Sequence, residues 1–157
     1  MSTPLPPAST AAPADSLITI THVVYGLHTV SLVIGAFGAA SIVGMFLFGW
    51  PSIIAVVINY VKRDEVRGTY LDSHFSWQIR TFWYAMAAAA ITLAITIPFG
   101  FLSFLSGFVT FGIGFLGMGV AAVLWFIGFL IIGIWAIYRI ARGWLALMDR
   151  RPMPLPD

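Results

Sequence analysis

The fold is decided by the stretch from Thr81 to Tyr138, which reads TFWYAMAAAAITLAITIPFGFLSFLSGFVTFGIGFLGMGVAAVLWFIGFLIIGIWAIY. It contains no charged residue, and a second uncharged stretch runs from Ser16 to Val61. One membrane crossing needs about 20 apolar residues, so each stretch has room for two crossings. The chain of 157 residues is 60% hydrophobic and only 9% charged, which excludes a soluble domain. The sequence therefore predicts an integral membrane protein.

Capping residues and helix breakers divide the two stretches into four predicted transmembrane helices, which form two hairpins of an all-α, polytopic fold. The helices cover about residues 17–40, 42–61, 74–97 and 118–148, in one domain that spans residues 16–148. A break at Gly49-Trp50-Pro51 is the alternative, and it leaves three crossings. The segments outside the domain are predicted to be disordered tails, at residues 1–15, which are rich in Pro and Ala, and at residues 149–157.

A connector rich in phenylalanine and glycine, residues 98–117, separates the third predicted helix from the fourth. Its phenylalanines recur at spacings of three and four, which is typical of one helix face: Phe101, Phe104, Phe108, Phe111 and Phe115. A neighbouring stripe of small residues is predicted to let another helix approach closely: Ser103, Gly107, Thr110 and Gly114. The connector is thus predicted to be helical, and it either lengthens a long helix, lies in the membrane interface or re-enters the bilayer.

The basic residues predict the orientation. All eight Lys and Arg lie in two clusters, within Lys62–Arg80 and within Arg139–Arg151. The positive-inside rule places both clusters on the cytoplasmic face, which requires an even number of crossings between them. The chain is therefore expected to be a multi-pass membrane protein with both termini in the cytoplasm. The three-crossing alternative would leave the amino terminus outside.

The polar residues argue against catalysis. No Asp or Glu lies within a predicted span, and the sequence lacks HExxH, GxSxG and P-loop motifs. With no cysteine, thiolate sites and disulfides are excluded. We therefore expect no catalytic residue, no metal site and no cofactor. Because the basic residues flank apolar spans, we also expect no nucleic-acid partner. His22 and His28 stand six residues apart, about 240° around a helix, so they cannot face one metal and are expected to pack between helices.

The connector between the second and third predicted helices is a candidate cytoplasmic interaction surface. Its residues are Lys62, Arg63, Arg67, His74, Gln78 and Arg80. Lys and Arg near the cytoplasmic leaflet attract anionic lipid or a partner protein. Asp64 and Glu65 offset part of that charge, so a solvated loop that fixes orientation is the competing interpretation.

The run from Trp50 to Tyr84, together with IYRIARGW near the end, resembles a family of small bacterial inner-membrane proteins of unknown function. Members of that family are distantly related to a channel component of the chloroplast inner-envelope import translocon. The matching positions are Pro51, Lys62 and Arg63, Asp64 or Glu65, His74, Gln78 with Phe82, and Ala141-Arg142-Gly143. The resemblance implies four helices with cytoplasmic termini and implies no activity.

Three functions remain open at this point. The first is a non-enzymatic accessory, assembly or scaffolding factor, which contacts a protein partner or a second copy through its transmembrane helices. The second is a small transporter or an oligomeric pore component, with Asn59, Gln78 and Thr81 facing its lumen. The third is a haem- or quinone-binding electron carrier that uses His22, His28 or His74. The lipid bilayer is the partner that all three share.

Overall fold

The computed structural model describes residues 12–38 and 42–154. These residues form four α-helices: α1 (Asp15–Gly38), α2 (Ile42–Lys62), α3 (Tyr70–Val109) and α4 (Phe115–Met148). A short 3-10 helix, Arg63–Val66, follows α2, and no strand occurs in the described part of the chain. The predicted all-α class is confirmed, and the number of helices fits the prediction.

Three helices of the described residues are long and apolar enough to cross a membrane. Their candidate spans are Asp15–Gly35 in α1, Tyr70–Val109 in α3 and Phe115–Met148 in α4. A continuous α-helix pairs its backbone groups internally, as an apolar environment requires. The apolar composition and the helical structure therefore agree in these three segments.

The third helix does not end at Pro98, as the sequence predicted, but continues to Val109 with the proline inside it. Pro98 lacks an N–H and so removes one helical bond, to the carbonyl of Ala94. In apolar surroundings the chain gains more by keeping the remaining helical bonds than by turning at a proline, so such helices tolerate proline. The connector rich in phenylalanine and glycine, residues 98–117, is accordingly divided among the end of α3, a turn at residues 110–114 and the start of α4.

The alternative break at Gly49-Trp50-Pro51 does not occur: α1 ends at Gly38 and α2 begins at Ile42, with residues 39–41 outside the described residues. The helix α2 continues through Pro51. The amide of the next residue, Ser52, donates to the hydroxyl of Ser31 in α1 (2.9 Å). A contact between two helices therefore satisfies a backbone group close to the proline.

The described residues divide into two compact units. The first comprises the chain up to Phe82 together with the residues from Ile137 onwards, and the second comprises Trp83–Ala136. In the first unit, α1 packs against α2. Its apolar core draws on every helix except α2 and on the 3-10 helix: Leu17, Tyr25, Val66, Leu71, Phe75, Ile140 and Leu147.

The second unit contains the later part of α3 and the earlier part of α4, and none of its residues is charged. Small residues let the two helices approach closely. A Cβ added to Gly128 would lie 2.7 Å from the methyl group of Thr92, and one added to Gly100 would lie 3.3 Å from the Cβ of Ala121. Such close approach is how helices associate where no hydrophobic effect drives them together.

The carboxyl-terminal segment differs from the predicted disordered tail. After α4, Arg150 takes the left-handed conformation (φ 53), and the amide of Arg151 donates to the carbonyl of Ala146 (2.9 Å). This is a Schellman cap, which turns the chain back. The side chain of Met153 is buried, and its amide donates to Ser73 Oγ (2.9 Å). Residues 149–154 are therefore part of the first unit, whereas 155–157, like residues 1–11, lie outside the described residues.

Replacing Arg150 with glycine is expected to raise stability. A left-handed residue with a Cβ costs roughly 1–2 kcal/mol, and glycine avoids this cost. Thermal unfolding of Arg150→Gly in detergent should show a higher midpoint than the wild type, whereas Arg150→Ala, which removes the charge and keeps the Cβ, should show no gain. Equal midpoints for the two variants would contradict the assignment of the cap.

Candidate functional site

A cluster of buried polar side chains lies in the first unit, where α1, the start of α3 and the end of α4 meet. His74 of α3 is fully buried at its centre. Its Nε2 lies 2.8 Å from the carbonyl oxygen of Arg151, and its Nδ1 lies 3.0 Å from the hydroxyl of Tyr25 in α1. A carbonyl can only accept, so Nε2 carries a proton; when the imidazole is neutral, the Tyr25 hydroxyl donates to Nδ1. The imidazole thus bridges α1 and the carboxyl-terminal segment.

An aromatic stack covers Tyr25 on the side of α4. The rings of Tyr25 and Trp144 lie 6.2 Å apart between centroids and only 13° from parallel. The indole Nε1 of Trp144 donates to Nδ1 of His22 (2.9 Å), which ties α4 to α1 a second time. Beside Trp144, Gly143 leaves room for the phenol ring, since an added Cβ would lie 2.9 Å from Tyr25 Cζ and closer to its hydroxyl. The cluster therefore requires a residue without a side chain at position 143.

A second group of bonds joins α3 to α4 through an arginine. The guanidinium of Arg139 lies 3.6 Å from the centroid of the Trp77 ring, and its Nε donates to Thr81 Oγ1 (2.8 Å). In return, the Trp77 indole donates to the Arg139 carbonyl (3.1 Å). A cation over an indole face is stabilised by the ring quadrupole, most strongly where water is excluded. Arg139, the first basic residue after the long uncharged stretch, is therefore bound to Trp77 and Thr81 of α3.

Polar side chains also connect α1 and α2. His28 Nδ1 lies 3.1 Å from Ser52 Oγ, next to the bond from the Ser52 amide to Ser31. His28 and Ser31 are both buried. The prediction that the two histidines of α1 pack between helices agrees with these contacts.

Two buried carboxamides in the first unit are incompletely paired. Asn59 of α2 is fully buried, and neither Oδ1 nor Nδ2 has a partner among the described residues. Gln78 of α3 is 1% exposed; its Nε2 contacts the Thr21 carbonyl at 3.5 Å, and its Oε1 has no partner among the described residues. Buried polar groups are nearly always hydrogen-bonded. Together with His28 Nε2 and the Tyr70 hydroxyl, these amide atoms are the buried side-chain atoms of the described residues that have no hydrogen-bond partner.

The predicted interaction surface is divided by the structure. Arg63 and Arg67 are exposed and Lys62 is half-buried; Lys62 pairs with Glu65 (2.7 Å) and Arg67 with Asp64 (3.0 Å). Arg80 is half-buried. His74 and Gln78 do not belong to a surface, because both are buried in the cluster. The sequence predicted them at a water-exposed start of a helix, and the packing of α1 and the carboxyl-terminal segment covers them instead.

Most of the small-residue stripe faces the protein's own helices. The ring of Phe115 occupies the space beside Gly107, where a Cβ would lie 2.8 Å from its Cζ. Gly114 faces the backbone of Ser106 (2.6 Å from an added Cβ), and Ser103 is buried against Gly117 of α4. Thr110 is exposed, but its hydroxyl bonds within the turn, to the Ser106 carbonyl (2.9 Å). The stripe packs helices, as predicted, yet it packs α3 against α4.

Several members of the cluster were missed by sequence reasoning. Tyr25, Ser73 and Trp144 carry bonds of the site, but each reads as an ordinary residue of an apolar helix or a membrane interface. Gly143 was named from the sequence, but only as a position that matches the bacterial family. A signal was present in Tyr25 itself, because a tyrosine in the interior of a span needs a partner for its hydroxyl.

The described residues contain no group of three or more His, Cys, Asp or Glu placed to hold a metal ion. Comparisons with protein-family models, with curated proteins and with solved structures find no match for this chain.

The cost of the unpaired amide of Asn59 gives a prediction. Asn59→Leu keeps the side-chain size and removes both unpaired atoms, so the free energy of unfolding should rise by about 1–3 kcal/mol. Thermal unfolding in detergent measures the change. Ile58→Leu, at the half-buried neighbouring position, is the matched control and should change stability little. A loss of stability in Asn59→Leu would show that the amide has a partner that the protein needs.

Proposed function

We propose that this chain is a four-crossing protein of the bacterial inner membrane, folded as two helical hairpins with both termini in the cytoplasm, and that it is a non-enzymatic accessory, assembly or scaffolding factor for other membrane proteins. The second unit supports the membrane location. It has no charged residue, and only 6% of the most apolar window of α3 and 11% of that of α4 is buried. Lipid is the environment in which such outward faces are stable.

The observation that carries a structural role is the use of the polar groups in the cluster around His74. Both nitrogens of this histidine are taken up by Tyr25 and by the Arg151 carbonyl. Its bonds tie α1, α3 and the carboxyl-terminal segment together. A catalytic base or a haem ligand needs a nitrogen that can reach a substrate or an iron, and His74 would have to give up one of these bonds to supply it.

The charged segment between α2 and α3, which contains Arg63, Asp64 and Arg67, is the surface that we assign to partner binding. Because the small-residue stripe packs α3 against α4, contacts with other proteins must use another face. Arg63, Asp64 and Arg67 are exposed, and they follow directly on α2. Exposed charges of both signs favour a complementary partner surface over a uniformly anionic one. The resemblance to the bacterial family with translocon kinship is compatible with this role and remains part of the proposal.

The test is photo-crosslinking in native membranes. A photoreactive residue replaces Arg67 in one variant and the buried Phe75 in a control variant. A discrete adduct with one membrane protein is expected only from position 67, and Arg63→Glu should abolish it without changing the stability of the protein. Crosslinks that are equal at both positions, or an adduct that survives Arg63→Glu, would contradict the assigned surface.

The incompletely paired carboxamides favour a second candidate, a pore or transporter component. Only three residues separate α1 from α2 in the sequence, so the two helices run in opposite directions. Ser52 of α2 contacts His28 and Ser31 of α1. Asn59 lies two helical turns beyond Ser52 and therefore lies beside the part of α1 that contains Thr21. Gln78 contacts Thr21 as well. Two neutral amides at one level could pass water or a small uncharged solute. Shrinkage assays on proteoliposomes test this candidate: the wild type should speed solute entry, and Asn59→Leu should remove the effect.

A further inference from the structure

The turn between α3 and α4 is apolar on its outside. The side chains of the turn and its flanking residues are among the most exposed of the described residues: Phe111 is 102% exposed, Val109 80%, Leu116 74% and Ile113 71%. Thr110, whose hydroxyl is bonded to the Ser106 carbonyl, is the only polar side chain in residues 107–117. An external loop in water would expose this apolar surface at considerable cost.

Most backbone amides of the turn are paired within the turn and its flanking residues; between residues 110 and 117 only the Phe111 amide shows no such bond. Every amide from Gly112 to Gly117 donates to an oxygen within residues 107–114. The acceptors are, in chain order, the carbonyl of Gly107, the carbonyl and then the hydroxyl of Thr110, and the carbonyls of Gly112, Ile113 and Gly114, at 2.8–3.3 Å. A loop in water needs no such arrangement, because water pairs with its amides. A turn surrounded by hydrocarbon is stabilised by each such bond, since each unpaired group there costs several kcal/mol.

The hydroxyl groups of Ser106 and Thr110 also form hydrogen bonds within the protein. Ser106 Oγ donates to the Ser103 carbonyl (2.9 Å), and Thr110 Oγ1 donates to the Ser106 carbonyl while accepting from the Gly114 amide. Thr110 thus takes the place of a backbone acceptor that the turn lacks. Two glycine features make the turn tight: Gly112 adopts a φ of 100, and Gly107 admits the ring of Phe115.

The length of the helix pair places the turn near the far side of the bilayer. Within the second unit, α3 contributes residues 83–109 and α4 contributes residues 115–136. At 1.5 Å per residue these segments are about 40 Å and about 33 Å long, so both are long enough to span the roughly 30 Å of the hydrocarbon core and bring the turn to its far side. No charged residue follows the crossing to anchor the turn in water.

From these observations we infer that the turn at residues 110–114 lies in the acyl-chain region of the far leaflet, where lipid covers Phe111 and Ile113, and that the helix pair presents no loop to the water beyond. This inference rests on the proposed membrane crossing. It adds that α3 and α4 are joined within lipid, and it assigns the apolar tip to lipid and not to a second copy of the chain.

The test uses nitroxide labels on single cysteines in the full-length protein, which has no cysteine of its own. Phe111→Cys reports on the turn. Because Phe111 already has a positive φ (53) with a Cβ, the substitution adds no backbone strain. Ile131→Cys, on an exposed position within α4, reports on the crossing, and Arg67→Cys reports on water. The labelled proteins are reconstituted in phosphatidylethanolamine and phosphatidylglycerol vesicles.

The measured quantity is the ratio of the collision rate with oxygen, which concentrates in lipid, to the collision rate with a water-soluble nickel chelate. At Phe111 the ratio should be several-fold above that at Arg67 and close to that at Ile131. A ratio equal to that at Arg67, with Ile131 still lipid-like, would overturn the inference and leave the crossing intact. Shielding from both reagents, with dipolar broadening that vanishes on dilution with unlabelled protein, would assign the tip to a second copy. A water-like ratio at Ile131 would overturn the crossing itself.

Discussion

Gly143→Ala is expected to lower the free energy of unfolding by several kcal/mol, although it adds only one methyl group. The new Cβ would lie 2.9 Å from Tyr25 Cζ and closer to the hydroxyl, so the phenol ring has to move. Overpacking of this kind costs about 1–3 kcal/mol. Movement of the ring also breaks the bond from the Tyr25 hydroxyl to His74, and a buried polar group left unpaired adds about 1–3 kcal/mol.

Thermal unfolding in detergent, followed by the near-ultraviolet signal of Trp144 and its stacked partner, measures this effect. The matched control is Gly26→Ala in α1, where nothing lies within 4 Å of an added Cβ and helix propensity alone should raise stability slightly. Because the closest contact is the hydroxyl, Tyr25→Phe should relieve part of the cost of Gly143→Ala. Stability losses that simply add in the double variant would show that the two residues do not interact.

The helices were predictable because their cause is local. Uncharged stretches bounded by charged residues leave the backbone no water to bind, and a helix pairs its groups within the segment. The helix ends were less predictable. Proline usually ends a helix, but α3 passes through Pro98 and α2 through Pro51. In apolar surroundings a turn would leave more backbone groups unpaired than one proline does.

The site was predictable only in part, because its bonds join residues distant in sequence. Nothing around His74 indicates that Tyr25 and Arg151 will contact it, from 49 and 77 residues away. Placing His74 on a surface followed from its charged neighbours, and that placement is wrong because the carboxyl-terminal segment folds over it. Gln78 is likewise buried, and its Nε2 contacts the Thr21 carbonyl of α1.

The order of the carboxyl-terminal segment also depends on residues distant in sequence. Residues 149–157 have the composition of a tail, with two arginines and three prolines. The order of residues 149–154 depends on a cap at Arg150 and on Ser73, which donates to the Tyr70 carbonyl and accepts from the Met153 amide. Composition reports what a segment can do alone, and this segment is ordered by a surface that only the folded unit provides.

His74→Ala is expected to release that segment and to destabilise the first unit. The change removes both bonds of the imidazole at once, leaving the Tyr25 hydroxyl and the Arg151 carbonyl without their partner. Each such group costs about 1–3 kcal/mol, and the volume left by the ring adds the cost of a cavity. We therefore expect the free energy of unfolding to fall by about 3–5 kcal/mol, near the upper end for single substitutions.

Hydrogen exchange at the Met153 amide separates release of the segment from a general loss of stability. In the wild type this amide donates to Ser73 Oγ in a buried position and should exchange slowly. In His74→Ala it should exchange at nearly the rate of an unfolded peptide while amides in the second unit stay protected. Tyr25→Phe is the matched control, because it removes the bond to Nδ1 and keeps the bond from Nε2 to Arg151, so Met153 should remain protected. Slow exchange at Met153 in His74→Ala would mean that Ser73 and the buried methionine side chain hold the segment without the histidine.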